Sequence, residues 1–486
     1  MRQISATSVN GDRVQLPKVF NGDILLYLGS RIISAAGAFA AVAIFTRIAG
    51  AVEYGHYLLI FAWAMIVFAF STQWIIAAYF GVYDSKRLRE FVASLYRLLV
   101  PALALAGAGL IGAEFFGFKG GRFVVAVFAM VVGMTLYYSA FDAARTAAKP
   151  QAASLSMVLR ALLIVALGSL ALCKAEGATG LAVAVMAAHL IAAIPCWIAI
   201  GGVSHAKKTS SASRQILTYG WPLMLSFGAM ALGQNIDRLI LEYFLGISAL
   251  GPYGAVSELM RQCFAVFGEV ILFSMITTAK QHSVDGNVEA STSTLRTAFN
   301  ACLATSVFGA AFFIVFGERV VHLVLPAEFH AAIGELIPIF AIAYAFMMLS
   351  QYYFAHVIYF TRASHLAVIS SATIIAVSGI LSFLLIPIYG AKGGAIALLA
   401  AYALSCGALI VVSRRYYRMP VDLRGLAGIS LLAVLFVATS QLLACFEAAG
   451  PLLISQSMIF VSIGTYVVSR YGLLSTISGQ QAVQAE

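Results

Sequence analysis

The sequence predicts an all-α, polytopic membrane protein of about fourteen transmembrane helices. Three observations carry that prediction. The 486 residues are 62% hydrophobic and 10% charged, with a mean hydropathy of +0.94, which leaves too little polar residue to clothe a soluble surface. Apolar runs recur from end to end, most at or beyond the roughly 20 residues that a helix needs to cross hydrocarbon. Lys and Arg alternate between dense and sparse loops, the asymmetry by which chains orient in a membrane.

The first span sets the pattern. Asp23 opens ILLYLGSRIISAAGAFAAVAIFT, which closes at Thr46 and runs into Arg47-Ile-Ala-Gly50 and Glu53-Tyr54-Gly55. Between Ile24 and Ile48 the only charged residues are Arg31 and Arg47. Arg47 lies close enough to the end for its side chain to snorkel into headgroups. Arg31 lies seven residues after Ile24, about 10 Å into the membrane by helical rise. Ser34, Ala35 and Ala38, at i+3, i+4 and i+7, give it a small-residue face suited to a helix interface or cavity rather than to lipid. An intramembrane cation is costly unless it faces water, a partner or a ligand, so Arg31 is a functional candidate.

The following spans fall near 55–81, 91–113, 122–146, 151–172, 179–201, 216–245, 249–279, 294–317, 334–360, 366–388, 392–413, 426–446 and 452–470. The seventh and eighth exceed one crossing and are expected to tilt or project. Residues 1–22 are polar, with Arg2, Arg13, Pro17 and Lys18, and lack the short apolar core of a cleaved signal peptide, so the first span is expected to be retained. The six cysteines (Cys173, Cys196, Cys263, Cys302, Cys406 and Cys445) stand singly and read as small buried hydrophobes rather than metal ligands or disulfides. With the N-terminus cytoplasmic, nineteen of the 30 Lys and Arg fall on inner segments and six on outer ones, which places both termini inside. The other five, Arg31, Arg97, Arg160, Arg238 and Arg261, lie within spans. The net charge of +10 follows from this orientation and does not call for nucleic acid.

An internal repeat organises the chain. Residues 177–184 and 390–397 share G-A-x-G-x-A-x-A, and the same offset carries Lys149 onto Arg362. Looser echoes link Ile24-Leu-x-Tyr27 to Ile216-Leu-x-Tyr219, and Gly50…Tyr54-Gly55 to Gly246…Tyr253-Gly254. The simplest account is a cytoplasmic segment (1–22), a six-helix lobe (23–201), a basic cytoplasmic linker (202–215), a second six-helix lobe (216–413), two further helices (426–470) and a cytoplasmic tail (471–486). Both lobes start from the same side, so the repeats are parallel.

Thr46-Arg47-Ile-Ala-Gly50-x-x-Glu53-Tyr54-Gly55-x-Tyr57, Tyr219-Gly-Trp-Pro222, Asn235-Ile-Asp237-Arg238 and Gly390-Ala-Lys-Gly-Gly-Ala-Ile-Ala397 stand in order along this plan. Together they make the chain resemble the polysaccharide-export flippases of the Wzx type, within the multidrug/oligosaccharidyl-lipid/polysaccharide exporter superfamily. The resemblance implies two six-helix bundles around a central cavity, working by alternating access in a bacterial cytoplasmic (inner) membrane. The implied substrate is a polyprenyl-pyrophosphate-linked oligosaccharide for exopolysaccharide, capsule or lipopolysaccharide O-antigen. Membrane lipids, proton or Na+ coupling, and polysaccharide polymerase and chain-length proteins are the implied partners, with no nucleic acid, cofactor, metal or catalytic residue.

The residues themselves point to an anionic cargo. Arg31, Arg160 (about 13 Å into span five) and Arg261 (about 18 Å into span eight) share mid-membrane depth by helical rise, and guanidinium forks suit phosphate oxygens. Each has an alternative. Glu258 could neutralise Arg261 locally at i−3, and Asp142 on the preceding antiparallel span could pair with Arg160. Asp237 and Arg238 are adjacent, point apart on a helix and need separate partners; they read as an ion pair closing the outer end of the cavity, or as substrate contacts. Glu258 and Glu269 are the carboxylates available for ion coupling or gating. Gln351, Tyr352 and His356, with Tyr359, form a stripe on span ten suited to sugar contact or to interior hydrogen bonding. Arg97 snorkels, His189 is an interior histidine, and Arg414-Arg-Tyr-Tyr-Arg418 is an interfacial anchor on anionic lipid.

Rival functions meet specific obstacles. A multidrug or organic-cation exporter calls for an unpaired acid in the first lobe, where span one offers Arg31 instead. A peptidoglycan-precursor flippase shares the anionic substrate and stays open. A polymerase or glycosyltransferase needs a sizeable extramembrane loop, and no loop exceeds about 15 residues; there is also no D-x-D pair or P-loop.

Overall fold

The computed structural model describes residues 21–117, 119–201, 210–330, 333–361, 365–446 and 449–471. The expected N-terminal segment up to residue 20, most of the linker, Arg362 and the tail beyond 471 lie outside the described residues. Sixteen α-helices account for nearly all of them: α1 (Asn21–Phe68), α2 (Trp74–Val82), α3 (Leu88–Phe115), α4 (Gly121–Thr146), α5 (Pro150–Cys173), α6 (Gly177–Ala199), α7 (Ser210–Gly233), α8 (Ile236–Leu245), α9 (Ile247–Ile271), α10 (Thr277–Val284), α11 (Val288–Val324), α12 (Ile333–Tyr352), α13 (His365–Tyr389), α14 (Ala391–Ser413), α15 (Leu423–Ala444) and α16 (Ala449–Arg470). Thirteen helical runs are long and apolar enough to cross a membrane, and the first, Gly29–Val82, spans 54 residues and contains two crossings. Fourteen crossings result. The chain is an all-α, multi-pass membrane protein.

Spans one and two are two helices, as expected, and meet within α1 at a kink where Gly50 leaves helical geometry (φ 75°, ψ 173°). A residue without Cβ accepts that positive φ at little cost, so the chain turns there without a loop. Span seven, expected as one helix over 216–245, is instead broken between α7 and α8. Asn235, at φ −128°, leaves the helix and its side-chain amide donates to the Ala231 carbonyl at 2.8 Å, the local competition with backbone bonding that disfavours Asn inside helices.

The sequence repeat has backbone counterparts. Gly246 (φ 79°, ψ 179°), before α9, repeats the conformation of Gly50. Gly177 and Gly390, in the matched octapeptides, have φ of 62° and 60° and open α6 and α14. A π-helical turn interrupts the second crossing at Ala69–Gln73 and the eighth at Leu272–Ile276. π-turns of this kind recur at functional sites, because they shift the register of the side chains that follow.

Helices α1, α4, α5 and α6 pack together, as do α9 and α11–α14; α15 lies on α11, and α16 lies on α15. The two groups meet where α1 crosses α9 and where α2 lies along α7. Glycines permit the first crossing. A Cβ on Gly251 would sit 2.0 Å from the Ala51 carbonyl oxygen, and one on Gly55 would sit 2.6 Å from the Ile247 carbonyl oxygen. Backbone atoms cannot swing aside, so Gly251→Ala is expected to force the helices apart at about 1–3 kcal/mol. Thermal unfolding in detergent should show a lowered midpoint for Gly251→Ala. Gly109→Ala, where nothing lies within 4 Å, should show no loss.

The cysteine expectation needs one correction. Cys196, Cys302 and Cys406 are buried, but Cys173 and Cys445 are exposed near helix ends, where a side chain meets lipid or water rather than a core.

Candidate functional site

Helix α1 carries Arg31, α5 carries Arg160, and α9 carries Glu258, Arg261 and Glu269. Close approach of α1 and α5 brings the first two together: a Cβ on Gly37 would meet the Ala161 Cβ at 2.8 Å, and Ser30 Oγ lies 3.8 Å from Met157 sulfur. Arg31 and Arg160 are consequently within electrostatic reach of one another. The small-residue face read from the sequence is what admits this approach.

Arg31 is ion-paired to Glu269 through Nη1, a contact that ties α1 to α9 across the two helical groups. Sequence spacing could not find this partner, which is 238 positions away. Tyr352, whose ring lies flat on Gly268, is within reach of Glu269, Arg261 and Arg31 and belongs to the same place. Arg261 is deeply surrounded by protein, yet 33% of its side-chain surface is accessible, with 26% for Arg31 and 39% for Glu269.

Glu258 is the hub of the second half. It accepts from Arg261 Nη2, from Arg261 Nε at 3.2 Å, from Gln262 Nε2 at 2.9 Å and from Arg238 Nη2 at 3.1 Å. Arg238 is 4% exposed. Asp237, 1% exposed, accepts instead from Tyr253 Oη at 2.6 Å. Asp237 and Arg238 thus take separate partners, as adjacency on a helix requires. The local neutralisation of Arg261 by Glu258 is present. One carboxylate between two guanidiniums leaves one positive charge in excess, offset in part by Asp237 beside Arg238, so Arg261 keeps part of its attraction for an anion.

Arg160 differs from both. Asp142, its expected acid, pairs instead with Arg145 at 3.0 Å. Helical rise explains the correction: Asp142 lies about 6 Å from the end of α4, and Arg160 about 15 Å past the start of α5. At matching depth stand Tyr137 and Tyr138. Arg160 Nη1 donates to Tyr138 Oη at 3.2 Å, and the guanidinium carbon lies 5.0 and 5.9 Å from the Tyr137 and Tyr138 ring centroids. No acidic side chain among the described residues pairs with it. Cation–π contact steadies a guanidinium without cancelling its charge. Counting rise from both sides of the 147–149 turn would have revealed the tyrosine pair. Gln262 lies on the same helical face as Glu258 and Arg261 by sequence spacing, and its Nε2 donates to Glu258.

The span-ten stripe does not survive as such. Helix α12 ends at Tyr352, and Phe354–Tyr359 form a 3-10 helix, so Tyr352, His356 and Tyr359 do not share one α-helical face. Tyr352 joins the arginines. His356 stacks edge-on with Tyr359 at 5.1 Å, and no described contact joins it or Gln351 to the arginine chain. His189 is buried, its Nδ1 2.7 Å from the Val185 carbonyl and its ring against Tyr137.

With this geometry in place, comparison with known proteins becomes informative. A model of the polysaccharide biosynthesis protein family matches residues 22–280, more than half of the chain. The chain belongs to that family. Among solved structures, this family member is similar to the lipid II flippase MurJ in an inward closed conformation, at TM-score 0.72 and 12% identity over 92% of this chain and 98% of that one. It is also similar to an inward-facing multidrug transporter, at TM-score 0.57 and 14% identity over 81% and 94%. A superfamily transporter from Pyrococcus furiosus, described as having reversed pocket polarity, matches at 0.52 and 14% identity over 82% and 98%. These likenesses show a shared fold. No curated protein sequence matches this chain.

Proposed function

We propose that the protein is a flippase moving a polyprenyl-pyrophosphate-linked oligosaccharide across the bacterial cytoplasmic membrane, for exopolysaccharide, capsule or O-antigen synthesis. The observation that carries this reading is Arg160, a mid-span cation with no described acidic partner, beside Arg31 on the adjoining helix. Low-dielectric walls amplify the field of such a charge, and a diphosphate is the lipid-borne group it suits. Arg31 and Glu269 act as a gate on this reading. An incoming diphosphate competes with Glu269 for Arg31, and the released link between α1 and α9 lets the helical groups rock. Arg261 is the next guanidinium along the same wall, with Tyr352 between them. Glu258, Asp237 and Arg238 serve as the rigid frame of α8 and α9; Glu269 is the carboxylate free to change partners, with a proton or Na+ if coupling occurs here.

On this reading both termini lie in the cytoplasm, which the lysine and arginine placement supports. A polymerase and chain-length protein would act on the delivered oligosaccharide. A second reading, transport of the peptidoglycan precursor, is favoured by the likeness to a lipid II flippase over 92% of the chain, and the same guanidiniums would serve it. Depleting the protein in its host separates the two. Accumulation of an oligosaccharide-bearing polyprenyl diphosphate with unchanged lipid II is the expected result. Accumulation of lipid II alone would establish the second reading.

A further inference from the structure

A separate basic cavity lies where α14 gives way to α15. The intervening chain, 414–422, folds back against the 3-10 turn and is pinned there. Tyr353 Oη donates to the Pro420 carbonyl at 2.5 Å, and Tyr417 stacks on Phe360 with centroids 5.2 Å apart and planes 17° apart. The far side of this arrangement holds another cation, with Lys280 Nζ 5.7 Å from the Phe360 ring centroid. Beneath the pinned segment is a cavity of about 300 Å³ with apolar walls from Phe354, Ile410, Met419 and Val421, and with Arg414 and Arg418 at its rim.

The two guanidiniums are available. No described acid pairs with Arg414 or Arg418, and the carboxylate nearest in sequence is committed elsewhere. Asp422 accepts from the backbone N–H groups of Gly425 and Arg424 at 3.0 and 3.1 Å, and from Asn300 Nδ2 at 3.0 Å. The Gly425 and Asn300 hydrogen bonds hold its carboxyl below the usual range. The structure also separates residues that the sequence reading of a general anchor treats alike, because Arg415 does not line the cavity.

We infer that this cavity binds the headgroup of one acidic phospholipid, its phosphate between Arg414 and Arg418 and its glycerol against the apolar wall. A free phosphate would make no use of Phe354, Ile410, Met419 and Val421. A zwitterionic headgroup would set its own cation against the two guanidiniums, so an acidic headgroup gains more from them. The ends of two apolar spans, Ser413 and Leu423, fix the cavity at the depth where headgroups lie. This inference does not depend on the transported substrate.

Native mass spectrometry of the full-length protein, released from nanodiscs of equal parts phosphatidylglycerol and phosphatidylcholine, tests it. Phosphatidylglycerol is expected to remain bound in preference. The R414Q/R418Q variant should lower that occupancy about thirtyfold, from about fivefold for each guanidinium near a lipid surface. Met419→Trp, which fills the cavity and keeps both charges, should lower it as well. R415Q should leave it unchanged. Equal loss in R415Q, no preference over phosphatidylcholine, or displacement of the lipid by millimolar inorganic phosphate would each overturn the assignment.

Discussion

Glu258→Ala is expected to destabilise the protein by about 3–5 kcal/mol, the cost of leaving a buried charge without its counter-ion. Arg238 is 4% exposed and, among the described residues, its ion-pair partner is Glu258. Asp237, the other nearby acid, accepts from Tyr253 through Oδ2 and, as the neighbouring residue on α8, points away from Arg238. The loss should appear as a fall of several degrees in the unfolding midpoint and as reduced protein in the membrane. Arg261→Ala should behave differently, since Glu258 keeps Arg238 and Gln262 as donors. Its midpoint should stay close to wild type while export falls. A double replacement, Glu258→Ala with Arg238→Met, should recover part of the single variant's loss, because the buried Arg238 charge is then no longer stranded. A midpoint for Glu258→Ala within a degree of wild type would show that the hub is not structural.

Arg160→Ala should reduce export of the lipid-linked oligosaccharide by about 10–100-fold with little change in protein level. The lost interaction is one charge-assisted contact to phosphate, worth about 1.5–3 kcal/mol. Stability should be nearly unaffected, because removing this side chain strands no acid and leaves Tyr138 beside accessible space. Arg160→Lys should restore part of the activity, as an ammonium keeps the charge but not the fork. Polymer on the cell surface and precursor held in the inner leaflet provide paired readouts. Normal export by Arg160→Ala would remove the main support for a diphosphate cargo.

Much of the architecture was legible in the chain because hydrocarbon imposes simple rules. Each crossing needs an apolar run of fixed length, and each buried charge stands out against it. The errors have local causes. Asn235 breaks the seventh span by bonding back to Ala231, which composition over a window does not register. The Tyr352–His356–Tyr359 stripe assumed α-periodicity through a segment that tightens into a 3-10 helix.

Residue types, read along one dimension, determined that the protein is all-α and multi-pass, and singled out Arg31, Arg160 and Arg261 as cations within its spans. Only the tertiary structure decided which of these cations meets an acid. Glu269 reaches Arg31 from the other helical group, Asp142 falls too shallow for Arg160, and Glu258 gathers Arg238 across the break between α8 and α9. The physical reason is that burial forces a charge to seek compensation, but the partner it finds depends on helix crossings and on a few ångströms of depth, which interlobe packing sets.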